Sequence, residues 1–305
     1  MKRNALIVIG LIATVAIAGV GLMRNKKELV NKQEILATIQ NGSSSAVVQV
    51  SHIQTPKIVK AAYLTAPSAG WEERVASIIE KRKTEGLNAV VIDIKDSYGV
   101  VGYDTKVETA VKYDLKTRYV KDLPGLVKRL HDEGIYVIAR IAVFEDTALA
   151  KARPEIATQD GVKLKAAGMN SSKKTIWQDR KKLSWIDPSS QEAWEYNIAL
   201  ANEVKDIGFD EVNFDYVRFP SDGKTSAIWY PLTKDAATHR QVIREFFKYV
   251  REHISGVPIS FDLFAFTAIE KEDIGIGQVL EDAYAYADYV DLMAYPSHYP
   301  PYFLG

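Results

Sequence analysis

The chain has 305 residues, with 39 Lys and Arg against 39 Asp and Glu, so it carries no field of one sign that could hold nucleic acid. Its 47% hydrophobic and 26% charged residues are the composition of a folded protein, as one large domain or two ordinary ones. The lack of cysteine rules out disulfides, thiolate nucleophiles and Cys-bound metal clusters; the five histidines form no close pairs, so no His-based metal site is expected, an all-oxygen site stays open, and no cofactor is expected.

Lys2 and Arg3 precede an uncharged run from Ala5 to Met23, which Arg24, Lys26 and Lys27 close. The run has about the ~20 apolar residues a membrane-spanning helix needs and exceeds the ~7–15 of a signal-peptide core. Ala16 and Ala18 also suit a cleavage site. Residues 1–24 therefore read as a single-pass signal anchor, with a cleaved signal peptide as the alternative. Residues 25–56, containing Asn41-Gly42-Ser43-Ser44-Ser45, read as a linker. Residues 57–305 are then an extracytoplasmic domain.

From Pro56 onward, short β-type runs alternate with helical stretches. The strand candidates are Ile58–Leu64, Ala89–Lys95, Ile135–Val143, Glu211–Val217, Pro258–Phe264 and Tyr289–Tyr295. The helix candidates between them are Trp71–Glu85, Leu123–Glu133, Gln191–Ile207, Ala236–Ile254 and Ile274–Tyr284. Asp187 followed by Pro188 predicts an N-cap for the third helix, and Trp185 beside it is expected in the core.

Side-chain parity narrows this alternation to one architecture. Strand residues two apart share a face. Val212, Phe214 and Tyr216 oppose Glu211, Asn213 and Asp215; Ile259, Phe261 and Leu263 oppose Ser260 and Asp262. Asp93 shares a face with Lys95, Arg140 lies opposite Val137, Ala139 and Ile141, and Asp291 aligns with Tyr295. A doubly wound sheet buries both faces as near-continuous apolar runs, whereas a (β/α)8 TIM-type barrel has an interior where polar groups converge at the C-terminal ends of its strands. Six runs fall short of eight, so the expectation is a barrel truncated after about six strands, with an open six-stranded arrangement as the alternative.

The inward polar set supplies the candidate chemistry. Asp215 stands at the end of the fourth run with Arg218 expected as its ion-pair partner, the setting of a carboxylate nucleophile. Asp262 is the candidate acid, with Asp96, Glu145 and Asp291 competing for that role. Lys95, Asp96, Arg140, Asn213, Arg218, Tyr295 and His298 are candidate substrate-binding groups. There is no phosphate-cradling loop, and 16 Tyr with 5 Trp, several in the segments after strands, suit a groove that stacks on sugar rings.

The runs Val91-Ile92-Asp93-Ile94-Lys95-Asp96, Ile138-Ala139-Arg140-Ile141, Val212 through Pro220 and Asp291 through Tyr299 give the chain from about Lys57 a specific resemblance. It resembles a bacterial family of unknown function related to TIM-barrel glycosidases. The resemblance implies a carbohydrate substrate and assigns the nucleophile after the fourth strand to Asp215. Two departures stand out: Asp262 occupies a place where several barrel glycosidases have Glu, and the last barrel strands are missing. Two functions follow: an exported glycoside hydrolase cleaving an envelope or extracellular polysaccharide, or a non-catalytic carbohydrate-binding or envelope-scaffold protein on the same barrel.

Overall fold

The computed structural model describes residues 52–169, 175–233 and 238–295. The expected anchor Ala5–Met23, most of the expected linker, and His298 lie outside the described residues. In chain order the elements are β1 (Ala61–Leu64), α1 (Ala66–Ala69), α2 (Glu72–Glu85), β2 (Ala89–Lys95), β3 (Val101–Tyr103), α3 (Glu108–Lys112), β4 (Lys116–Val120), α4 (Leu123–Asp132) and β5 (Tyr136–Ala142). They continue with α5 (Thr147–Ala152), β6 (Gln159–Asp160), α6 (Gly161–Ala167), α7 (Gln191–Ile207), β7 (Glu211–Asp215), β8 (Ile228–Trp229), α8 (His239–His253), β9 (Ile259–Phe264), α9 (Leu280–Tyr284) and β10 (Tyr289–Met293).

Six strands, β1, β2, β5, β7, β9 and β10, pair in parallel in the order in which the chain makes them. A doubly wound sheet reverses direction at a switch point. This one winds a single way, as a (β/α) barrel does, and the result is a mixed α/β fold around a parallel sheet. Sequence reading missed β3 and β4, which extend the sheet beyond the end of β2: β3 joins β2 antiparallel at Lys95 and Val101, and β4 runs parallel to β3. With only three and five residues, they carry too little periodicity to stand out.

The outward sheet face packs on the helices. Phe214 of β7 and Phe261 of β9 lie 5.8 Å apart, centroid to centroid, and meet Phe246 and Phe247 of α8 at 6.3 and 4.5 Å respectively. All four rings are fully buried, each stabilising the fold by roughly 1.5–3 kcal/mol relative to exposure. A capping box between Thr238 and Gln241 starts α8. For α7 the cap is Ser190, whose side chain accepts from the Ala193 N–H, and not the expected Asp187. Asp187 instead accepts from Ser189, Leu232 and Thr233, tying a later loop to the start of the helix. Trp185 is in the core.

The helix expected over Ile274–Tyr284 shrinks to α9. Gly275 and Gly277 take φ of 88° and 87°, which a helix cannot contain, and Asp273 Oδ1 accepts from the N–H groups of Gly275, Ile276 and Gly277. At the opposite end of the sheet, buried Asp210 accepts from Ile53 N at 2.6 Å and Val137 N at 2.8 Å, and His131 Nε2 lies 2.9 Å away. That one carboxylate fastens the chain preceding β1 and the start of β5 to the foot of β7.

Candidate active site

Parallel register stacks the inward residues into layers. Asp93, Arg140, Asn213 and Ser260 are successive partners across β2, β5, β7 and β9; one layer nearer the C-terminal ends, Asp262 partners Asp291 across β9 and β10. Above them opens a cavity of about 940 Å³, lined by Arg140, Asn213, Asp215, Arg218, Asp262 and Asp291 and by the aromatic rings of Tyr63, Tyr216, Phe264, Phe266 and Tyr295. Polar groups that fix orientation, set among apolar walls, are the usual constitution of a small-molecule site.

Arg140 is the hub. Its Nη1 donates to Asp93 Oδ1 at 2.6 Å, its Nη2 to Asp215 Oδ2 at 2.5 Å, and its Nε stands 3.9 Å from Asp262 Oδ2. Burial disfavours the guanidinium charge, but Asp215 and Asp93 outweigh burial and push its pKa up. The second oxygen of Asp215 accepts from Tyr216 N at 2.6 Å, and Tyr216 itself sits at φ 56°, a conformation costly for an aromatic residue. Both Asp215 oxygens are thus fixed by donors at the end of β7. On the far side of Arg140, the Tyr63 hydroxyl donates to Asp93 Oδ2.

The environment separates the carboxyl groups. Burial, and then the charge of Asp215, hold Asp262 well above the ordinary carboxyl range, while Asn213 and Arg140 pull the other way. Asp291, on β10, the last strand among the described residues, is raised by partial desolvation. Asn213 Nδ2 is shared by Ser260 Oγ, Asp262 Oδ1 and Asp291 Oδ2 at 3.1, 3.0 and 3.2 Å. Because Asp215 and Asp262 approach the same guanidinium, their carboxyls are at most about 9 Å apart, within the outer limit of an inverting glycosidase pair. An ion-paired carboxylate beside a carboxyl whose pKa is pushed up is the division of labour that acid–base hydrolysis needs.

Several expected positions are corrected. Asp215 pairs with Arg140 and not with Arg218, whose Nη1 bonds Phe219 O and Ser221 Oγ instead. Lys95 is not at the cavity: the β2–β5 register shifts between Asp93 and Lys95, so Lys95 partners outward-facing Ile141. There it is fully buried, 2.6 Å from Asp146 Oδ2 and over the Tyr196 ring. Asp96 closes the turn after β2 by accepting from Tyr98 and Val100. Arg140, Asn213, Arg218 and Tyr295 all line the cavity, as do Asp215 and Asp262. Glu145 is buried near Arg218 and outside the lining set. Tyr63, one of the aromatics expected to suit a sugar-stacking groove, also lines the cavity, on the β1 face opposite Leu64.

Residues 61–305 match the family described as "Putative glycosyl hydrolase domain", and the chain belongs to it. A crystal structure of a hypothetical protein from Ruminiclostridium thermocellum ATCC 27405 is 31% identical, with a TM-score of 0.57 over 66% of this chain and 96% of that one. An α-galactosidase from Thermus thermophilus, solved with stachyose, is 14% identical, with a TM-score of 0.44 over 78% of this chain and 44% of that one. The glycoside hydrolase domain of PelA from Pseudomonas aeruginosa is 13% identical, with a TM-score of 0.40 over 78% and 67%. No curated protein matches the sequence.

Proposed function

We propose that this protein is an exported glycoside hydrolase that cleaves an envelope or extracellular polysaccharide by a two-carboxylate mechanism. The carrying observation is the pair of carboxyls on one guanidinium: Asp215, fixed by Arg140 and the Tyr216 N–H, and Asp262, whose pKa burial and then Asp215 push up from the ordinary carboxyl range. Family membership agrees with it. In the reaction, the Asp262 proton passes to the glycosidic oxygen as the bond from that oxygen to the anomeric carbon breaks. Asp215 meets the positive charge that develops at the anomeric carbon, either by bonding to it or by stabilising it while water attacks. Water supplies the OH of the new reducing end, and its remaining proton restores the acid. Tyr63, Phe266 and Tyr295 bring aromatic surface to the cavity wall, of the kind on which sugar rings stack.

Export rests on the run from Ala5 to Met23, together with its flanking basic residues. Among the described residues, no helix is long and apolar enough to cross a membrane. Fractionation tests this part: the full chain should stay with membranes through a high-salt wash, and recovery of a mature N-terminus at Gly19 would mean a cleaved signal instead. Activity is tested by incubating the full chain with a panel of polysaccharides and analysing the products. New reducing ends from at least one are expected; binding without any cleavage would support the non-catalytic reading.

A further inference from the structure

We infer that Arg218 is a recognition site for an anionic substituent on the sugar, a carboxylate or an ester phosphate or sulfate, and that the substrate is therefore an acidic polysaccharide. This rests on the carbohydrate reading of the cavity and specifies its substrate class.

Arg218 lines the cavity while being only 8% exposed. The other cavity cation, Arg140, is saturated by carboxylates, whereas none of the ion pairs among the described residues includes Arg218. Its hydrogen bonds among the described residues both leave from Nη1, to the neutral acceptors Phe219 O at 3.2 Å and Ser221 Oγ at 3.0 Å. Three rings hold the guanidinium in place: Trp185 and Phe264 with centroids 4.8 Å from Cζ, and Tyr216 at 5.2 Å. Such a cage orients the cation but supplies no countercharge, and a buried charge without one is costly. Nε and Nη2 remain to form the forked pair with which arginine binds carboxylates, phosphates and sulfates.

The groups whose fields reach Arg218 are Glu145, Tyr216, Asp215 and Asp222. Asp215 is already engaged by Arg140. Glu145, pressed against Asp179 and Tyr216, is pushed up to about 8, first by burial and then by Asp179. Below that pH Glu145 is mostly neutral, and the carboxylates whose fields still reach Arg218 are Asp215 and Asp222, neither of them ion-paired with it; above it, Glu145 becomes a further internal anion that competes with the ligand.

The test measures binding to the full chain of D-glucose and D-galactose against glucuronate, galacturonate and the 6-phosphate and 6-sulfate of each sugar, by calorimetric titration or saturation-transfer NMR. Acidic sugars should bind about tenfold tighter than their neutral parents, the size of one charge-assisted contact. The carboxylate and ester arms identify which anion is preferred. In Arg218→Gln the ratio should fall to about one, and Arg218→Lys should retain part of it, with melting curves confirming that both variants are folded. The ratio should also shrink above about pH 8 in the parent and persist there in Glu145→Gln. Equal or undetectable binding of the acidic sugars overturns the inference, as does a preference that survives in folded Arg218→Gln. Because the readout is binding, acid preference without cleavage would defeat the hydrolase reading alone, and cleavage of neutral glycans without that preference would defeat this inference alone.

Discussion

At the scale of single residues, the site is a set of carboxyl groups pushed apart by their surroundings. Asp262 is raised by burial and by Asp215, with a further contribution from Asp291, its partner across the β9–β10 register. Removing a neighbouring like charge lowers a raised carboxyl pKa. Asp291→Asn should therefore shift the alkaline limb of the kcat/KM profile to lower pH, read on whichever glycan proves to be cleaved; an unmoved limb would remove Asp262 as the acid. Glu145 gives a stability counterpart. Its folded-state pKa, about 8, lies above the ordinary carboxyl value, so the folded state holds more protons and stability is lost as pH rises from the ordinary carboxyl range toward 8. Glu145→Gln abolishes that loss, and its melting temperature should gain on the parent as the pH is raised across that window.

At the scale of elements, one irregularity in β2 decides which side chains reach the cavity. The shift between Asp93 and Lys95 sends the lysine outward to Asp146, which also caps α5 by accepting from Leu149 N. Lys95→Met leaves Asp146 buried without its counter-ion and should cost about 3–5 kcal/mol in urea unfolding while leaving sugar affinity unchanged. A loss of affinity at equal stability would place Lys95 in the site after all. The same shift marks where the sequence stopped being readable. Strict alternation located Arg140, Asn213, Asp215 and Asp262 on the inner face, because β5, β7 and β9 hold their register against one another. Alternation cannot anticipate an inserted residue, and so it misplaced Lys95. The Asp215 partner is illegible for another reason: Arg218 is near in sequence, whereas Arg140 is brought close only by strand pairing across 75 positions. Helix boundaries are legible where a long apolar stripe defines them, as for α7 even though its cap is Ser190 and not Asp187, and illegible where loop geometry built on Asp273 replaces an expected turn of helix.

At the scale of the whole molecule, the one-way winding of six parallel strands brings the ends of β1, β2, β5, β7, β9 and β10 around one cavity. The opposite end is closed at Asp210, whose bonds to Ile53, Val137 and His131 are distant from the chemistry. Asp210→Ala should accordingly lower the unfolding midpoint by an amount equivalent to a few kcal/mol, since it strands buried N–H donors, and should leave KM near that of the parent. The catalytic assignment itself rests on Asp215. Asp215→Asn keeps the side-chain shape and removes the charge that the proposed mechanism sets against the anomeric carbon. Its kcat on the cleaved glycan, measured beside a melting curve that certifies the fold, should fall by orders of magnitude below the parent. Turnover by the folded variant at close to the parent rate would make Asp215 a structural partner of Arg140 and leave the proposed mechanism without its nucleophile.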